Sequence, residues 1–123
     1  MRFLWVALGG ALGSLARYTL GAWIYSRMGT RFPYGTFAIN ITGCFIIGLA
    51  LSILDARAEL PSAWRLAVPI GFVGAYTTFS TFEFETYRLV ESSPAMALLY
   101  VGSSVVLGYA AVYLGIQTSR FFV

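Results

Sequence analysis

Two stretches of this chain, residues 36–54 and 95–118, contain no charged residue at all, and a third, residues 3–26, contains only Arg17. A helix of roughly 24 residues, rising about 1.5 Å per residue, covers about 36 Å and crosses a hydrocarbon layer of about 30 Å with some tilt. A fourth apolar stretch, residues 66–90, carries its charges only in the second half (Glu83, Glu85, Arg88). The 123 residues are 59% hydrophobic and 11% charged, against about 45–50% and about 25% in a typical soluble domain. A soluble domain this small could not hide so much apolar surface, so lipid is the expected solvent. The chain is therefore predicted to be an all-α membrane protein. It would be one domain over residues 1–123, with four transmembrane helices near 3–26, 36–54, 66–90 and 95–118. The first stretch does not read as a cleaved leader, being too long and holding an internal arginine.

Several chemistries are excluded by what is missing. There is no histidine, which removes a Ser-His-Asp or Cys-His nucleophile system and a histidine-ligated metal. No Walker loop and no paired cysteine motif occurs, so no enzyme is expected. The lone Cys44 lies in an apolar run and reads as a buried structural thiol. A net charge of +3, spread thinly, gives no nucleic-acid footprint.

Four spans place both termini on one side of the membrane. That side then holds Arg2, Arg57, Arg65 and Arg120, and the other holds Arg27, Arg31 and Arg88. Four against three is almost no bias, so arginine placement fixes no orientation. It leaves either an ordinary protein with a weak signal or a dual-topology one, whose oppositely inserted copies pair about a two-fold axis. So short a chain with so even a count favours the second.

Polar residues inside a membrane span are costly and mark partners or pathways. Arg17, in GSLARY, could snorkel, pair with helix-end carbonyls, or supply positive potential to an anion. Asn40, in GTFAINITG, either joins helices or lines a wet path. In the third segment Pro69, Gly71 and Gly74 weaken the helix before the hydroxyl-rich TTFST. A break is predicted near residues 77–80, where freed carbonyls could meet a cation and freed N–H groups an anion. A kinked helix whose hydroxyls bond back to the preceding turn is the alternative. In the fourth segment Tyr100, Ser104 and Gly108 recur at steps of four on one face. Gly9-xxx-Gly13 and Ser104-xxx-Gly108 have the spacing of close helix packing.

Taken together, GGALGSLARY, GTFAINITGCFIIG, GFVGAYTTFSTFEFE and the Tyr100–Ser104–Gly108 spacing resemble the small fluoride channels of the Fluc (CrcB) family over nearly the whole chain. The resemblance implies an antiparallel, dual-topology homodimer in the inner or plasma membrane, passing fluoride passively out of the cell through two pores. It implies that Asn40, Phe79, Phe82, Ser80, Thr81, Tyr100 and Ser104 line the fluoride path, with ring edges of both phenylalanines toward the ion. It makes Arg17 and Glu85 vestibule or supporting residues. It also implies a structural sodium at the dimer axis, held by the backbone carbonyls of Gly74 and Thr77. Ala75-Tyr76 departs from the small or aliphatic pair expected between those two residues.

The residue chemistry is compatible. Fluoride holds water tightly, so a pore must replace that water with close donors, and a phenyl ring has a positive edge. Two rivals differ in what they require. A small multidrug-type, proton-coupled antiporter needs a carboxylate deep in the membrane, whereas the first segment's only charge is Arg17. An assembly subunit would not require an amide, a phenylalanine pair and a hydroxyl strip together.

Overall fold

The computed structural model describes residues 1–123 and is helical throughout. Helix α1 runs Arg2–Met28 and α2 runs Tyr34–Ala56. A third span begins with a single turn, α3 (Ser62–Arg65), and widens into a π-helix over Leu66–Val73. It narrows again as α4 (Gly74–Tyr76), breaks, and resumes as α5 (Phe79–Ser92). Helix α6 runs Pro94–Ser119. By length and apolarity α1, α2 and α6 can each cross a membrane.

The turns follow from local chemistry. Gly29, at φ 75°, closes α1 in the left-handed region, where its N–H reaches the Tyr25 carbonyl at 3.0 Å. Ser93 alone separates α5 from α6; its hydroxyl accepts the Met96 N–H, and Pro94 starts the helix where no donor is needed. The third span starts earlier than predicted, at Ser62 rather than near residue 66, because Pro61 already directs the chain into a helical turn. Arg65 ties this turn to the end of α2, pairing with Asp55 at 2.8 Å and donating to the Leu54 carbonyl.

Pro69 explains the widened turn. It has no N–H to give, and the Gly74 N–H reaches back five residues to the Pro69 carbonyl. The segment that looked weak in sequence is therefore continuous but over-wide, and the interruption lies at Thr77–Thr78, within the predicted residues 77–80.

Two close helix contacts build the bundle. A methyl at Gly9 or Gly13 would overlap the Ala67 or Phe72 carbonyl, so the α1 glycine pair receives the π-helix backbone. Gly71 answers from the other side, where an added methyl would sit 2.8 Å from the Val6 carbonyl. The second contact joins α2 to α6; Gly108 of the predicted small-residue pair is buried against α2, and the tightest approaches lie farther along. A methyl at Gly108 would meet Cys44 Sγ at an ordinary 3.4 Å, whereas methyls at Gly48 and Gly115 would overlap backbone carbonyls of Val112 and Phe45. A small core of Phe82, Leu89, Ala97 and Tyr100 binds α5 to α6. Only 22 of the 123 residues are buried, and large apolar side chains such as Leu12, Leu15, Leu98 and Val106 point outward. Such a surface suits lipid or a second copy rather than water.

Candidate functional site

The interruption of the third span is made by side chains that divert its backbone. Thr77 and Thr78 are extended (ψ 156° and 112°). From α2, the Asn40 amide accepts the Thr78 N–H at 2.8 Å and donates to the Thr78 carbonyl at 3.1 Å. The Thr78 hydroxyl caps α5, accepting the Thr81 N–H at 3.3 Å and donating to the Thr81 hydroxyl at 3.0 Å. Thr77 donates back to the Val73 carbonyl at 3.0 Å. In an unbroken helix the Thr78 and Thr81 N–H groups would have met the carbonyls of Gly74 and Thr77, four residues earlier. Because both are taken by side chains, those two carbonyls lose their helical partners. Arg17 takes the second of the three roles its position left open: Nε donates to the Ala75 carbonyl at 3.0 Å, at the negative end of the first half-helix.

Glu85 lies two turns along α5 and collects hydroxyls from every other span. Tyr25 of α1 donates to Oε1 at 2.9 Å, Thr36 of α2 donates to Oε1 at 2.8 Å, and Tyr100 of α6 donates to Oε2 at 2.9 Å. Gly35 makes room for the Tyr25 ring, 2.8 Å from where a methyl would stand. The chain's single ion pair is Arg65–Asp55, so Glu85 is held by hydroxyl donors and by no arginine. Glu85, expected as a vestibule or supporting residue, is half-buried at a junction of helices and lines both cavities there.

Two cavities meet at this junction. One, of about 310 Å³, is lined by Arg17, Thr36, Thr78 and Thr81; the other, of about 640 Å³, by Arg31 and Arg88; Tyr25 and Glu85 stand in both walls. A line of donors thus runs from Arg17 past the break to Glu85 and on to the loop end of the bundle.

The predicted residues fall into two groups. Asn40 and Thr81 each bond Thr78 at the break, and Phe82, Tyr100 and Glu85 pack together. Phe82 is 8% exposed and meets the fully buried Tyr100 ring edge-on, with centroids 5.0 Å apart. The Ser104 hydroxyl is buried without a hydrogen-bond partner. Phe79 (74% exposed), Ser80 and Gly74 instead face outward from the subunit, although the Phe79 ring stays 5.9 Å from that of Phe82. Tyr76, at the departure from the family pattern, is buried against Phe72 and bonds Thr42 at 2.8 Å. Sequence reasoning missed Tyr25, Thr36 and the role of Thr78. Thr36 had a signal, since it lies four residues before Asn40 on the same helix face; Tyr25 had none.

Comparison with known proteins covers nearly the full length. A family model described as "CrcB-like protein, Camphor Resistance (CrcB)" matches residues 4–116. The "Fluoride-specific ion channel FluC" of Acidobacterium capsulatum is 68% identical over 116 residues, covering 94% of this chain and 93% of the relative. Its namesakes in Solibacter usitatus and Magnetococcus marinus are 53% and 46% identical over 121 residues. These cover 98% of this chain in both cases, and 99% and 98% of the relatives.

Proposed function

The chain belongs to the CrcB family, and on that premise we propose that it is a fluoride-specific ion channel of the cell membrane. It would let fluoride leave the cell passively, without chemistry. The observation that carries this reading is the line of amide, hydroxyl and guanidinium groups between Arg17 and Glu85, inside spans that are otherwise apolar. A small, strongly hydrated anion needs close hydrogen-bond donors in place of water, each weak enough to release it. The second Asn40 N–H, the Thr81 and Ser80 hydroxyls and the unpartnered Ser104 hydroxyl are such donors. Phe79 and Phe82 would add ring edges, which favour an anion without holding it as a fixed charge does. Tyr100 would orient its hydroxyl through Glu85.

The functional unit is proposed to be an antiparallel homodimer with two pores. Phe79, Ser80 and Gly74 face outward from one subunit, so a second copy would complete a path they could line. The same surface suits the implied sodium. The carbonyls of Gly74 and Thr77 have lost their helical partners, and neutral oxygens are what a hard cation prefers. Two copies of each would supply four oxygens, and the ion would join the interrupted spans and add positive field beside the path.

A proton-coupled cation antiporter is less well supported. Its carboxylate must be free to trade a proton for a cation, but Glu85 carries three donors and shares its two cavities with Arg17, Arg31 and Arg88. The deciding experiment uses purified protein in fluoride-loaded vesicles at equal pH on both sides. A potassium ionophore that relieves the charge imbalance should release fluoride at once. Efflux that appears only with an imposed proton gradient would contradict a channel.

A further inference from the structure

The larger cavity carries a charge pattern that the path above does not use. Its wall holds Arg31, from the loop after α1, and Arg88, from α5, with Glu85, Tyr25, Thr30 and Ser92. Neither guanidinium has a carboxylate within ion-pair distance. The acids nearby are engaged or elsewhere. Both Glu85 oxygens accept hydroxyls. Glu91 accepts from Tyr87 at 3.1 Å and is outside the wall, as is the exposed Glu83. Arg27 lies 5.9 Å over the Trp23 ring, away from the cavity. Two uncompensated cations thus face one saturated carboxylate, in a concave space walled by protein.

We infer that this cavity is an anion-collecting mouth, in which Arg31 and Arg88 concentrate small inorganic anions beside the Glu85 hydroxyl cluster. The inference rests on the channel reading for its purpose but not for its electrostatics. A concave, low-dielectric wall of one sign focuses field into the opening and raises the local concentration of the opposite ion. Glu85 alone would repel an arriving anion; the two arginines reverse the sign of the entrance while the three hydroxyls stay committed to Glu85. Because the effect acts through space, salt should erase it over the change in Debye length from about 30 Å at 0.01 M to about 3 Å at 1 M.

The test places a reporter thiol in the wall by Ser92→Cys, with Cys44→Ala removing the native thiol. The reaction rates of a negatively and a positively charged methanethiosulfonate are compared in the reconstituted protein. Arg31→Gln with Arg88→Gln should lower the anionic-to-cationic rate ratio about fivefold at about 0.01 M salt and leave it unchanged near 1 M. Fluoride efflux of the double variant should fall severalfold at low salt and match the parent at high salt. A ratio indifferent to the arginines, as when a lipid phosphate sits between them, overturns the proposal. So does an efflux loss that salt does not restore, which marks a structural role. If the parent protein passes no fluoride, the channel reading fails, while the thiol ratio still decides whether the mouth exists.

Discussion

Asn40 shows what a single side chain can decide. Its amide holds both backbone groups of Thr78, groups that lipid could not satisfy. Asn40→Ala leaves the half-buried Thr78 N–H and carbonyl unpaired and should cost about 2–4 kcal/mol, read as a lower unfolding temperature in detergent. Asn40→Asp keeps the acceptor but sets a carboxylate against the Thr78 carbonyl, and should be no better than alanine. At Glu85, Tyr25→Phe removes one of three charge-assisted donors and should destabilise by about 1.5–3 kcal/mol. The same variant at Tyr18, an exposed tyrosine on α1, is the neutral control. Phe82→Ile should suppress fluoride efflux while the oligomer persists on a sizing column, since isoleucine keeps bulk but has no positive ring edge; normal efflux would remove the ring-edge role. The need for a partner at Asn40 was legible from its apolar surroundings. Which partner was not, because Thr78 lies 38 residues away. The Glu85 cluster was less legible still, its donors coming from three separate helices, with Tyr25 some 60 residues distant.

At the scale of the elements, packing depends on a few points where backbone meets backbone. Gly9→Ala and Gly48→Ala should each cost about 1–3 kcal/mol through overpacking. Gly102→Ala, with open space around it, should be tolerated. Thermal melts of the three variants side by side check the contrast. Four helical segments and the break in the third could be read from run length, proline and the TTFST hydroxyls. The π-helix could not, since Pro69 and Gly71 predict weakness without saying whether a helix ends or widens. The α2–α6 contact illustrates a similar limit. Ser104, Gly108, Ala111 and Gly115 form one continuous small-residue stripe on α6, and only the crossing with α2 selects Gly115 as the touching point.

For the whole molecule, the proposed pair of oppositely inserted copies rests on the nearly even arginine count and on the outward-facing Phe79, Ser80 and Gly74, which a partner would cover. Impermeant labels directed at the loop after α1 should react from both faces of the membrane; labelling from one face alone would remove dual topology while leaving the single-subunit path intact. A path that replaces fluoride's tightly held water with close donors should discriminate against chloride. Purified protein in vesicles loaded with equal fluoride and chloride should release fluoride rapidly and retain chloride as protein-free vesicles do. Equal release of both anions, or of neither, would contradict it.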